Sequence, residues 1–82
     1  MKIAKIVQTC IACPSQWEGE FEDGSKLYIR YRHGTLRVEK GDKLLFSATF
    51  GDSLDGFIDL DTVLLKSRLT LAEGVVCEQD NS

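Results

Sequence analysis

No stretch of this sequence approaches the roughly 18–20 consecutive apolar residues that a membrane-spanning helix requires, so no membrane partner is expected. The N-terminal run MKIAKIVQTCIACPSQW lacks the long apolar segment of a secretory signal, and the expected compartment is the cytoplasm. Cysteine is odd in number, which excludes a complete disulfide framework; the three thiols are expected to be reduced. There is no internal repeat, no low-complexity tract and no linker. The 82 residues have room for one small domain, expected to occupy residues 1–77, with a frayed tail at 78–82.

What is present is globular in composition, with 43% hydrophobic and 28% charged residues. The net charge of −3 is unevenly spread: +2 over residues 1–15, zero over 16–43 and −5 over 44–82. The neutral central stretch is dense, with six acids against six bases. That balance argues against a nucleic-acid protein, because interleaved glutamates and an acidic C-terminal half repel phosphate.

The centre of the chain reads as a β-meander. Leu27-Tyr28-Ile29-Arg30-Tyr31-Arg32 alternates with period two, as do Thr35–Glu39 and Leu44–Phe50. A slip of one residue exchanges the two faces of a strand, so the turns can be assigned by parity. A two-residue turn at His33-Gly34 pairs Arg32 with Thr35 and Ile29 with Val38. A three-residue turn at Glu22-Asp23-Gly24 pairs Gly19 with Leu27 and Trp17 with Ile29, with glycine at the bulge position. A three-residue turn at Lys40-Gly41-Asp42 pairs Glu39 with Lys43, Val38 with Leu44 and Leu36 with Phe46. The predicted apolar face is Trp17, Phe21, Leu27, Ile29, Tyr31, Leu36, Val38, Leu44, Phe46, Ala48 and Phe50. A helix over 59–67 covers it, with Asp59 or Asp61 as its cap, Leu60, Val63 and Leu64 as its stripe and Leu71 as a further candidate for it. Near the N-terminus, Ile3, Ile6, Val7, Cys10 and Ile11 have helical spacing, but the richness in Ile, Val and Thr favours a strand. The expected fold is therefore α+β: a mainly antiparallel meander of four to five strands with one C-terminal helix packed on its apolar face.

Three constellations carry chemistry. Cys10-x-x-Cys13 has redox spacing, yet a strand follows it where a thiol-activating helix would be needed. Extending the Trp17–Ile29 register brings Cys13 beside His33, and Cys10, Cys13, His33 and Cys77 make up a complement for a Cys₃His zinc site. The same Cys13–His33 adjacency would suit a nucleophile and base, but no orienting group or oxyanion hole accompanies it, and no enzyme is expected. The third is the polar face of the meander, where parity gathers Glu18, Glu20, Tyr28, Arg30, Arg32, Arg37 and Glu39. Arg30 falls opposite Arg37, a like-charge pair that the diagonal acids Glu18 and Glu39 can compensate. Arginine and tyrosine are enriched at protein interfaces, and Leu45 adds an apolar point.

The run Cys13-Pro14-Ser15-Gln16-Trp17-Glu18-Gly19, then Asp23-Gly24, then Tyr28-Ile29-Arg30-Tyr31-Arg32-His33-Gly34 resembles small bacterial and phage-type proteins sharing a PSQWEG…DG…YIRYRxG signature. The resemblance covers residues 10–40. No activity is established for those proteins, so it implies a source and assigns no site residue.

The leading expectation is a non-enzymatic protein-interaction module. Its Glu18, Glu20, Tyr28, Arg30, Arg32 and Arg37 face meets a protein partner or a second copy, with no cofactor and no metal. The alternatives are a zinc or thiol protein on Cys10, Cys13, His33 and Cys77, and a single-stranded nucleic-acid binder.

Overall fold

The computed structural model describes residues 2–11, 15–51 and 58–79. Five long strands follow one another: β1 (Lys2–Cys10), β2 (Ser15–Phe21), β3 (Lys26–Arg32), β4 (Thr35–Lys40) and β5 (Lys43–Thr49). A short helix α1 (Leu60–Ser67) precedes two minimal strands, β6 (Thr70–Leu71) and β7 (Glu78–Gln79). The strand order is β5-β4-β3-β2-β1-β6, with β7 also on β1.

The five long strands form the expected antiparallel meander, and the N-terminal segment is a strand. The sheet as a whole is mixed, however, because β6 and β7 both run parallel to β1. Glu78 and Gln79, expected to fray, pair with Val7 and Gln8, and Gln79 Nε2 donates to Gln8 Oε1 at 3.4 Å. The outer edge of β1 is thereby covered by the C-terminal segment.

Two of the three turns are as the parity argument requires. Trp17 lies opposite Ile29 and Gly19 opposite Leu27, and Gly24 closes the three-residue turn with φ 88°. His33 and Gly34, with φ 55° and 75°, form a two-residue turn pairing Arg32 with Thr35. Positive φ at both positions matches the twist of the flanking strands. The third turn differs. Gly41, at φ 57°, takes the first position of a two-residue turn that pairs Lys40 with Lys43. A bulge between Val38 and Glu39 then sets Val38 opposite Phe46 and Leu36 opposite Ala48. Leu44 consequently lies opposite Glu39 and is 52% exposed, not in the core.

The core combines Ile3 and Ile6 of β1 with Trp17, Phe21, Leu27, Ile29, Tyr31, Leu36 and Val38, closed by Ile58, Val63 and Leu69. Phe46, Leu60 and Leu64 pack against it. Phe50, placed on the apolar face by its parity, is 43% exposed and stacks on Tyr31 with ring centroids 5.5 Å apart. Helix α1 begins after Asp59, which is extended and makes no side-chain bond to the helix backbone; its Oδ1 instead accepts from Thr62 Oγ1 at 2.6 Å. The helix ends at Arg68 in the left-handed region.

Two contacts fix the layers. Gly19 faces β1 so closely that a Cβ there would lie 1.9 Å from the Lys5 carbonyl oxygen. Ser15, fully buried, donates to the Ile11 carbonyl at 2.6 Å and accepts from the Ile58 amide at 3.1 Å. That second bond ties the approach to α1 onto the start of β2.

Candidate functional site

The polar face of the meander forms as the register dictates. Arg30 lies opposite Gln16 on one side and Arg37 on the other, Tyr28 lies between Glu18 and Glu39, and Glu20 lies opposite Lys26. Alternation in β3 and β4 thus gathers Arg30, Arg32 and Arg37 toward the His33-Gly34 end. The acids Glu18, Glu20 and Glu39 lie toward the opposite end.

The expected compensation of the arginines does not occur. Among the described residues the ion pair found is Lys40–Asp23 at 2.6 Å, and none joins Glu18, Glu20 or Glu39 to Arg30, Arg32 or Arg37. Glu18 and Glu20 are exposed and Glu39 is half-buried, and although a diagonal neighbour is within reach of long side chains, none of the three turns its carboxylate onto an arginine. Arg30 is half-buried, and its Nε is screened from solvent with no hydrogen-bond acceptor. A buried donor left without a partner costs about 1–3 kcal/mol, and more where it is charged.

The three arginines share a cleft of about 310 Å³ with His33 and Thr35. Thr35 Oγ1 lies 2.8 Å from Thr49 Oγ1, which fixes that wall to β5. On the other flank, Tyr28 donates to Gln16 Oε1 at 3.1 Å, and Gln16 Nε2 donates to Thr9 Oγ1 at 3.1 Å. This chain of bonds orients the tyrosine. The pattern of residue types does not mark Gln16, Thr9 or Thr35 as part of a site. Thr35 was within reach of the same parity argument, whereas Thr9 requires the β1 register.

Half-buried Lys40 and exposed Asp23 make a separate arrangement at the far end of the sheet. The Lys40 ammonium, then the hydroxyl and amide of Ser25, hold the Asp23 carboxyl well below the usual carboxylate range. The Lys40 ammonium also lies 5.5 Å from the Phe21 ring centroid.

The residues of the zinc and thiol readings do not come together among the described residues. Cys13 lies outside them, so its adjacency to His33 is not described. His33 borders the arginine cleft, whereas Cys77 lines a different cavity of about 410 Å³ with Gln8, Trp17, Ile58 and Leu60. No group of three or more metal-ligating side chains occurs among the described residues. Burial pushes the Cys77 thiol above its ordinary pKa, which opposes thiolate formation. Among the same residues, no helix is long and apolar enough to cross a membrane. No protein-family model matches the chain, and no curated protein and no solved structure shows significant similarity to it.

Proposed function

We propose that this domain is a non-enzymatic interaction module that recognises an acidic segment of a protein partner through the polar face of its sheet. One observation carries the reading. Arg30, Arg32 and Arg37 stand together without an ion pair to any acid on their own face. A like-charge cross-strand pair costs stability, and a carboxylate-bearing partner repays that cost when it binds. Arginine suits the task, because its planar fork meets a carboxylate with two parallel bonds. Tyr28, oriented by Gln16, adds a rigid amphipathic ring of the type that anchors interfaces.

The test is affinity capture with identification by mass spectrometry, comparing wild type with the Arg30→Glu/Arg37→Glu variant. The reading expects specific partners to be lost while circular dichroism shows an unchanged sheet. Retention of every wild-type partner by the variant overturns it. Sedimentation of both proteins shows whether the partner is a second copy, since a dimer that the double substitution dissolves identifies this chain as its own ligand.

A further inference from the structure

We propose that the cleft bordered by Arg30, Arg32 and Arg37 is a binding site for an isolated, doubly charged oxyanion: a phosphoryl group, free or carried by a protein side chain. The inference rests on the polar face being a recognition surface and names the chemistry at its centre.

The three arginines hold donors that no acid among the described residues takes up. Each guanidinium carries five N–H groups in a fixed fork. Among the described residues, Arg30, Arg32 and Arg37 give none of them to a carboxylate of the chain. Arg30 is the most constrained, because its Nε is shielded from solvent without an acceptor, so packing and not hydrogen bonding holds that side chain. Arg37 faces it across the ladder from an exposed position. A single carboxylate brings one charge and two oxygens, enough for one guanidinium. A phosphoryl group brings close to two charges and three oxygens, which matches three guanidiniums bordering one cleft. The Thr35 hydroxyl borders the same cleft and can donate to a further oxygen.

The surroundings decide between an isolated group and a polymer. A nucleic-acid backbone repeats its charge along the whole surface that it crosses. Here the basic cleft occupies one end of the face, while the other end carries Glu18, Glu20 and Glu39, with Lys5 and Lys26 flanking Glu20. A polyanion laid along the strands would meet those carboxylates, whereas a single phosphoryl group meets the arginines alone.

The experiment is a titration of the isotope-labelled protein with inorganic phosphate at constant ionic strength, followed by amide and arginine side-chain NMR. The inference expects saturable shifts confined to residues 30–37 and weakened at least about tenfold, or ~1.4 kcal/mol, by Arg30→Gln or by Arg37→Gln. Arg32→Gln, at an exposed position, gives a second measure that does not depend on the half-buried Arg30. Acetate at the same concentrations should shift the cleft resonances less and bind more weakly, because one carboxylate engages one guanidinium. A phosphoserine peptide binding more tightly than phosphate indicates a protein-borne source, and equal affinity indicates the free anion; either supports the site. Phosphate shifts that are absent from the cleft, or unaffected by all three substitutions, overturn it. So does arginine-dependent binding of single-stranded DNA that exceeds binding of the phosphopeptide. If phosphate leaves the cleft unmoved while Arg30→Glu/Arg37→Glu still abolishes partner capture, the oxyanion assignment alone fails. If phosphate binds while the double variant keeps its partners, the recognition-surface reading alone fails.

Discussion

Arg37→Glu should make the protein more stable while removing its recognition chemistry. The cross-strand pair Arg30–Arg37 places two positive charges directly opposite each other with no ion-paired acid beside them. Cross-strand charge pairs are worth roughly 0.2–1 kcal/mol, favourable for opposite signs and unfavourable for like ones. Reversing one charge therefore removes a penalty and adds an attraction, a swing of about 0.5–2 kcal/mol. Glu39 lies two positions along β4 on the same face and repels the new carboxylate, so the lower half of that range, about 0.5–1 kcal/mol, is expected. For a domain of this size each kcal/mol moves Tm by ~4–8 °C, giving a rise of about 2–8 °C. The assay is a thermal melt followed by fluorescence of Trp17, the single tryptophan and fully buried, so its emission reports the core. Salt is the control: the Debye length falls from about 10 Å at 0.1 M to about 3 Å at 1 M, so the gain should shrink in 1 M NaCl. Arg37→Gln should fall between the two proteins. If Arg37→Glu melts at or below wild type at low salt, or gains equally at both salt concentrations, the reasoning about the unpaired arginines is wrong.

Three further outcomes test the scaffold. Gly19→Ala forces a Cβ against backbone atoms of Lys5 and Ile6, which cannot swing aside, and should cost more than the ~1–3 kcal/mol of ordinary overpacking; a Tm within a few degrees of wild type would refute the close approach. Ser15→Ala leaves the buried Ile58 amide without its acceptor and should destabilise by about 1–3 kcal/mol in urea titrations, with an unchanged denaturant slope. Asp23 has its carboxyl pKa depressed in the folded state, so its contribution is full above its ordinary value of 3.8 and is lost as pH falls toward the folded value. Asp23→Asn should therefore lower Tm at pH 7, and the difference should close in acid; a constant difference would remove the Lys40 and Ser25 contacts from the account.

The sequence made the β2–β3 and β3–β4 hairpins readable because each has a turn glycine at positive φ and strands whose two faces differ sharply. The β4–β5 hairpin shows the limit of that logic. A slip of two positions keeps every side chain on its own face, so pairing Val38 with Leu44 or with Phe46 satisfies the same alternation. The bulge that decides between them leaves no periodic mark. A bulge also explains the ambiguity of the N-terminal segment. Ile3 and Ile6, three positions apart, mimic a helix, and the register shift between Ile3 and Lys5 lets both face the core from a strand. Strands β6 and β7 have two residues each and pair in parallel with a distant strand, too short for any periodicity to show. Parity placed the arginines on one face, but whether an arginine meets a nearby glutamate depends on side-chain rotamers, which a pattern of residue types does not encode.

The cover on β1 has a consequence for the order in which the chain acquires its shape. The meander from β1 to β5 joins neighbouring segments through short turns. Among the described residues Val7 and Gln8, by contrast, take their outer partners from Glu78 and Gln79, a sequence separation of 71 between Gln8 and Gln79. Closing so long a loop is slow compared with forming a hairpin. During that interval the part of β1 at Val7 and Gln8 keeps its outer hydrogen-bonding groups bare, while β6 already pairs with Lys2 and Ile3. The final residues of the sheet therefore act as a seal applied late. Removing Glu78 and Gln79 would leave Val7 and Gln8 without these partners and open to edge-to-edge association.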